Sequence, residues 1–191
     1  MQGRGADPAL NAQMNRIERV EVGETFTVAR MELLPAVPAR DGALRENWPS
    51  AVSTHIAWLE KHGVSFAGYI VRAEMENPGP ANCGSKALRD RDVRIYIADR
   101  PGESIADAAI AEVTPRWRAV NPSWTAANLQ RLAISQKQVL IQGWLLYDSA
   151  SWNTARHREQ ATLWEIHPVT AISVRDEYGW VNLADYLRGG R

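Results

Sequence analysis

The fold of this chain is most clearly indicated by the stretch Ala108–Asp148, which reads AAIAEVTPRWRAVNPSWTAANLQRLAISQKQVLIQGWLLYD. The stretch opens with a short apolar segment, Ala108–Thr114, which has the length of a strand and is stopped by a proline. A helix follows, because Ser123 or Thr125 can cap a run whose apolar residues recur at helical spacing. In the next segment, Val139–Asp148, one face is almost wholly apolar, which predicts a second strand.

Three further strand-like segments flank this stretch. Two lie before it: Val64–Glu74, with Gly68 near its middle, and Asp92–Asp99, in which apolar and polar residues alternate cleanly. One lies after it: Thr162–Val174, which we expect to bend at Pro168. A glycine inside a strand suits a sharply coiled sheet, because no side chain obstructs the bend there.

The order of these elements is strand, strand, strand, helix, strand, strand. A doubly wound α/β fold would alternate strands and helices throughout, and a β-sandwich would have seven or more short strands. One helix between the third and fourth of five strands matches the OB-fold, a five-stranded Greek-key barrel. The sequence therefore predicts a mainly β protein built on this barrel.

The barrel is expected to occupy residues 64–174, with an extension on either side. Residues 1–15 have no periodicity and are predicted to be a flexible arm. Residues 16–63 are predicted to form an N-terminal extension with a bent strand or strand pair, followed by a helix at about 51–62. Residues 175–191 are predicted to form a C-terminal extension with a short helix.

The composition excludes several classes of protein. The chain has 191 residues with 22 basic and 22 acidic side chains, so it is neither a polybasic nucleic-acid arm nor a disordered, highly charged chain. Its single cysteine, Cys83, excludes an internal disulfide and lies in a loop where the sequence leaves its role open. No apolar run has the length of a signal peptide or a membrane span.

These absences predict a soluble cytoplasmic protein with no membrane partner, or a secreted one whose signal has been removed. No phosphate loop, nucleophile elbow or zinc-finger spacing is present in the sequence, so no cofactor is predicted.

Three segments resemble a group of small, largely uncharacterised bacterial OB-fold proteins. They are AEVTPR at 111–116, GWLLYD at 143–148 and TLWEIHPVTAISV at 162–174. Members of that group have a cysteine-rich turn before the second strand and an Asp-x-His-Ile motif on it. This chain keeps Cys83 and Asp92 but has Arg94 where the histidine would be. The resemblance covers roughly residues 64–174 and implies the fold without implying an activity.

Single-stranded DNA or RNA is the first candidate partner, because an OB-fold binds such strands on its second and third strands. Arg94 and Arg116 are the candidate phosphate contacts, and Tyr96 and Trp117 are the candidate rings for base stacking. Arg158 lies in the loop between the fourth and fifth strands, which such domains also use for ligands. Against this, residues 64–176 hold 13 basic and 12 acidic side chains, so binding to phosphates requires that the charges be segregated.

A metal-assisted hydrolase or nuclease is a weaker candidate function. Alternation along the fifth strand puts Glu165 and His167 on one face, and Glu112 and Asp92 can converge with them. Carboxylates with an imidazole suit a divalent metal or general acid–base catalysis. The alternative is a local role in which Glu165 pairs with an arginine such as Arg116, so no metal is assigned from the sequence.

A protein-docking module is the second candidate function. The tryptophans outside the barrel, Trp48, Trp58 and Trp180, suit interface anchors, and they suit equally well a role in holding the extensions to the barrel. The sequence ranks nucleic-acid binding first, docking second and hydrolysis third, and it favours a binding protein over an enzyme.

Overall fold

The structure is a computed structural model, and it describes residues 8–37, 45–79, 82–151 and 159–189. In chain order its helices and strands are α1 (Pro8–Met14), β1 (Val22–Phe26), α2 (Val28–Glu32), α3 (Ser50–Leu59), β2 (Gly63–Met75), β3 (Val93–Ala98), β4 (Ala109–Val113), α4 (Pro115–Val120), α5 (Ala126–Ile134), β5 (Gln138–Tyr147), β6 (Trp164–Asp176), β7 (Gly179–Asn182) and α6 (Leu183–Arg188). Short 3₁₀ turns connect several of these elements.

Five of the strands form a closed barrel. Strand β2 pairs with β3, β3 with β4, β5 with β6 and β5 with β2, all antiparallel. The parallel pairing of β4 with β6 completes the circle. Helix α5 lies in the chain between the third and fourth barrel strands, as the sequence predicts. The mainly β fold class with an OB-fold-like barrel is therefore confirmed.

The barrel interior is filled by alternate side chains of its strands. On β3 the residues Val93, Ile95 and Ile97 are fully buried in the core, while the residues between them face outward. Helix α5 packs against β2 and adds Leu129 and Leu132 to the same core. This alternation fixes which side chains can form a site on the outer face of the barrel.

Two glycines permit the tight curvature of the barrel. A Cβ atom on Gly68 of β2 would lie 2.3 Å from the carbonyl oxygen of Ala98, and one on Gly143 of β5 would lie 2.4 Å from that of Pro168. A β-bulge next to Gly143 shifts the register between β5 and β6. The strands therefore approach one another at points where no side chain fits.

The segments outside the barrel differ from the sequence expectation in detail. Residues 8–14, within the predicted flexible arm, form the helix α1. Of the segment predicted as a bent strand or strand pair, Val22–Phe26 forms β1, which extends the sheet in parallel with β2, and the rest includes the helix α2. The residue Pro115 both ends β4 and begins the helix α4, because proline is well tolerated at the first helical position.

The C-terminal segment forms a hairpin and a helix. Strand β7 pairs with the end of β6, and Asn182 caps the helix α6 by accepting a hydrogen bond from the amide of Ala184. Within the part of the chain that the structure describes, no helix is both long and apolar enough to cross a membrane.

Candidate metal centre

A cluster of ionisable side chains lies on the outer face of β3, β4 and β6. We call it the polar cluster, and its members are Glu76, Asp92, Arg94, Glu112, Glu165 and His167. Arg94 and Glu112 are direct cross-strand partners on β3 and β4. Glu165 and His167 follow on β6, which is joined to β4 by the pairing of Ile110 with Glu165. Strand alternation thus places these side chains opposite the apolar core residues of the same strands.

Four members of the polar cluster are almost completely buried. The exposed fraction is 2% for Asp92 and Glu112, and 1% for Glu165 and His167. Burying a charged group is costly unless an opposite charge, hydrogen bonds or a metal ion compensate it. The four buried side chains therefore need compensating contacts, which the surrounding residues or a bound ion must provide.

Three side chains of the cluster form a set that can hold a metal ion. One ligand atom each from Asp92, Glu112 and His167 lies within 4.8 Å of the other two. The His167 Nδ1 atom lies 3.2 Å from Oε2 of Glu112 and 4.0 Å from Oε2 of Glu165. Two carboxylates and an imidazole at this separation can reach one cation between them.

Several polar atoms of the cluster have no hydrogen-bond partner among the described residues. They are both carboxylate oxygens of Glu165, both ring nitrogens of His167 and Oδ1 of Asp92. The short approach of His167 to Glu112 does not have hydrogen-bond geometry. Because buried polar atoms are nearly always paired in folded proteins, atoms left unpaired together indicate a bound ion or water.

The carboxylates of the proposed ligands are held by neighbouring side chains. Asn82 donates from Nδ2 to Oδ2 of Asp92 at 2.8 Å, and Arg94 donates from Nε to Oε1 of Glu112 at 2.8 Å. Arg94 also pairs through Nη2 with Glu76. In each ligand carboxylate one oxygen is thereby fixed and the other faces the cluster, which is the usual arrangement around a protein metal ligand.

Three carboxyl groups of the cluster, those of Glu76, Asp92 and Glu165, hold protons more tightly than ordinary acids. Burial, together with the charge of Glu112, raises the pKa of Glu76 to about 9 and that of Asp92 to about 6. Burial, with the charges of Asp148 and Glu112, raises the pKa of Glu165 well above its usual range. Full ionisation of these groups thus requires more positive charge than Arg94 provides.

Arg94 is the guanidinium at the centre of these contacts. Burial lowers its pKa, but the carboxylates of Glu112, Glu76 and Glu165 more than compensate and raise it above the usual value. Its side chain is 17% exposed and engaged with two carboxylates. The predicted role of Arg94 as a phosphate contact has no support in these contacts, because the acidic cluster already engages the guanidinium.

The two rings expected to stack on bases are also buried. Tyr96 is 6% exposed and packs against Ile110 in a small apolar cluster on the outer face. Trp117 is 5% exposed, donates from Nε1 to the carbonyl oxygen of Arg16 and stacks on Trp124. Neither ring offers a face to solvent, which corrects the expectation of a stacking surface.

The remaining candidate residues lie elsewhere. Arg116 is exposed on α4 and donates from Nη1 to the carbonyl oxygen of Asn15. Arg158 lies outside the described residues. Of the tryptophans outside the barrel, Trp48 is buried edge-on against Tyr147, whereas Trp58 is 56% and Trp180 is 38% exposed.

The structure brings together all four of the weaker catalytic candidates, Asp92, Glu112, Glu165 and His167. Sequence reasoning missed Glu76, a member of the cluster, and Asn82, which holds Asp92; both lie between β2 and β3. The signal for Glu76 is its position directly after the predicted strand, next to the partner strand that begins at Asp92. Nothing in the sequence marks Asn82.

Comparison of the sequence with models of known protein families and with curated proteins finds no match. The functional argument therefore rests on the geometry of the polar cluster and its surroundings.

Proposed function

We propose that this protein binds a divalent transition-metal ion through Asp92, Glu112 and His167 and uses it for hydrolysis. The observation that carries the proposal is the buried set of facing donor atoms of Asp92, Glu112 and His167, in which Oδ1 of Asp92 and both ring nitrogens of His167 lack hydrogen-bond partners among the described residues. A cation between them would replace the missing hydrogen bonds and offset the mutual repulsion of the carboxylates. Direct pairing of Glu165 with Arg116, the alternative reading of the sequence, has no support in the contacts of Glu165.

The donor set favours particular metals. An imidazole nitrogen suits Zn²⁺ and related transition metals, whereas carboxylates alone would suit Mg²⁺ or Ca²⁺. Three protein ligands are typical of catalytic zinc sites, in which a further position is left for water. We therefore expect Zn²⁺ or Mn²⁺ to bind more tightly than Mg²⁺.

Glu165 is the candidate proton acceptor. It lies on the same face of β6 as His167, and its two oxygens face the cluster without a donor. A bound cation supplies an activated water by lowering the pKa of that water. Glu165 would then receive the proton that this water loses, while Arg94 holds Glu112 in place.

The other functions proposed from the sequence have less support. Single-stranded nucleic acid remains a candidate partner as a source of phosphodiesters, but the two rings expected to stack on bases, Tyr96 and Trp117, are buried. For docking, the supporting feature is a mostly apolar cavity of about 490 Å³ between the N-terminal extension and the barrel, with Phe26, Trp58 and Leu145 among its lining residues. That cavity carries no groups that identify a partner.

The proposal is tested by titrating the metal-free protein with Zn²⁺, Mn²⁺ and Mg²⁺ in a calorimeter. We expect one Zn²⁺ or Mn²⁺ to bind per chain. In His167→Gln or Glu112→Gln the metal affinity should fall by more than the roughly 10–100-fold that follows when a residue hydrogen-bonded to a ligand is changed. The matched control is His55→Gln, which removes an exposed histidine on α3. Absence of binding, or equal binding by wild type and both ligand variants, would refute the metal centre.

A further inference from the structure

A second feature lies directly beside the polar cluster. It is a solvent-open cavity of about 370 Å³, whose lining includes Asn82, Arg89, Asp90 and Arg116. Its size falls within the range of small-ligand sites in proteins. The cavity lies where the loop before β3 meets the start of α4, next to the end of β4 that carries Glu112.

Asn82 links this cavity to the proposed metal ligands. Its side chain lines the cavity, is 6% exposed and donates to Oδ2 of Asp92 at 2.8 Å. A group seated in the cavity is therefore separated from Asp92 by one side chain.

The charge of the cavity is opposite to that of the cluster. Arg89 and Arg116 are both exposed and line the cavity, and Oδ1 of Asp90 lies 3.8 Å from Nε of Arg89, so these three residues contribute a net charge of one positive unit. Arg118 supports this wall by donating from Nη2 to the carbonyl oxygens of Leu88 and Arg89, each at 3.1 Å. Guanidinium groups match the geometry of phosphate oxygens, and a surplus of one positive charge suits a singly charged anion.

We infer that this cavity holds the phosphate group of a phosphodiester next to the metal ion. The inference rests on the proposed function, because without a cation the carboxylates of the polar cluster would repel an anion. A phosphodiester carries one negative charge, which matches the cavity, whereas a phosphate monoester carries nearly two. Arg89 and Arg116 then hold the phosphate oxygens and leave the phosphorus accessible from the cluster.

The reaction that follows from this placement consumes one water. The water loses a proton to Glu165, its oxygen forms a bond to phosphorus, and one phosphorus–oxygen ester bond breaks. The bonding electron pair leaves with the ester oxygen, which takes up the proton that Glu165 received and departs as an alcohol. The products are a phosphate monoester and an alcohol, with no change in oxidation state.

The first test uses bis(p-nitrophenyl) phosphate with the full chain loaded with Zn²⁺ or Mn²⁺. We expect hydrolysis, and in the double variant Arg89→Ala/Arg116→Ala a KM about 10-fold higher with kcat within about 2-fold, since the loss of two rim arginines weakens binding rather than the chemical step. In Arg89→Lys/Arg116→Lys the KM should lie between those of the wild type and the double alanine variant, because lysine keeps the charge. The control Arg131→Ala removes an exposed arginine on α5 and should leave KM unchanged.

The second test measures binding alone, by the broadening of the ³¹P signal of dimethyl phosphate by the Mn²⁺-loaded protein. We expect broadening in wild type and in Arg131→Ala, and little in the double alanine variant at equal metal content. If wild type takes up no metal, the proposed function itself fails. If it takes up metal but neither broadens the signal nor cleaves the diester, or does so equally in the double alanine variant, the assignment of the cavity is wrong.

Discussion

At the scale of single residues, Arg94 is the side chain that holds the polar cluster together. Its guanidinium donates to Glu112 from one nitrogen and pairs with Glu76 through another, and it is largely buried. If the guanidinium were removed, the buried carboxylate of Glu112 would lose its positive partner, and Glu76 would lose a hydrogen-bond donor. Arg94 is thus a positioning residue, which fixes one oxygen of Glu112 and directs the other toward His167.

Replacing Arg94 should therefore destabilise the metal-free protein. We expect Arg94→Ala to lower the free energy of unfolding by about 3–5 kcal/mol, the usual cost of breaking a buried ion pair. Urea denaturation measures this change. Arg175→Ala, which removes an exposed arginine on β6, should cost no more than about 0.5 kcal/mol. Equal effects of the two substitutions would show that the Arg94 ion pairs do not support the fold.

The raised pKa of Glu76 makes stability depend on pH. Burial and the charge of Glu112 raise its pKa from the ordinary 4.5 to about 9 in the folded protein. Between these two values the folded state binds more protons than the unfolded state, so the free energy of unfolding falls as pH rises. The stabilisation is complete below about pH 4.5 and is lost as pH passes through about 9.

We therefore expect the metal-free protein to lose stability from about pH 5 to pH 9, and Glu76→Gln to flatten that decline because an amide does not ionise. Thermal unfolding of both proteins across this range measures the difference. Glu32→Gln, at an exposed position on α2, is the control and should leave the slope unchanged. A wild-type protein whose stability rises steadily toward pH 9 would contradict the proposed environment of Glu76.

At the scale of secondary-structure elements, the site depends on the closure of the barrel. Glu112 and His167 are far apart in the chain, and the parallel pairing of β4 with β6 makes them neighbours. Strand β5 lies on the other side of β6, and its close approach at Gly143 sets the position of the strand just beyond His167. The geometry of the site is therefore linked to a packing contact on the opposite edge of β6.

Gly143→Ala should weaken both stability and metal binding. The added Cβ would lie 2.4 Å from the carbonyl oxygen of Pro168, so β5 and β6 would have to separate. We expect a loss of about 1–3 kcal/mol, typical of overpacking, together with weaker Zn²⁺ affinity. Gly23→Ala on β1, where a Cβ meets nothing within 4 Å, should change neither quantity. Urea denaturation measures the stability of the two variants, and calorimetry measures their Zn²⁺ affinity.

The elements themselves could be predicted from the sequence because hydrophobic alternation is a local property. Each of the five barrel strands begins and ends within two residues of its predicted position, and the shared face of Glu165 and His167 also follows from alternation. The approach of Glu112 depends on which strands pair, and the contribution of Asn82 depends on the path of a loop. Hydrophobic periodicity predicts neither the strand pairing nor the path of the loop.

Burial of the expected stacking rings could not be predicted for a related reason. Trp117 is covered by a segment from the far N-terminal part of the chain, whose carbonyl at Arg16 accepts its hydrogen bond. Alternation indicates that Tyr96 faces outward, but an outward side chain can still be covered by neighbouring elements. The exposure of a side chain depends on how the whole chain packs, and hydrophobic alternation alone does not predict it.

At the scale of the whole molecule, a chain with no net charge separates its charges locally. The polar cluster concentrates carboxylates around Arg94 on the outer face of the barrel, and the adjoining cavity has Arg89 and Arg116 on its rim. A net charge of zero over 191 residues is therefore compatible with a cation site and an anion site that lie side by side. The central claim is that the first of these sites holds a metal ion.

Anomalous X-ray diffraction from crystals grown with Zn²⁺, recorded at the zinc absorption edge, tests that claim most directly. We expect one strong peak per chain, at about 2.0–2.2 Å from an oxygen of Asp92, an oxygen of Glu112 and a ring nitrogen of His167. The peak should be absent in crystals of His167→Gln prepared in the same way. A polar cluster without a peak, or zinc bound only at exposed histidines such as His55 and His62, would contradict it.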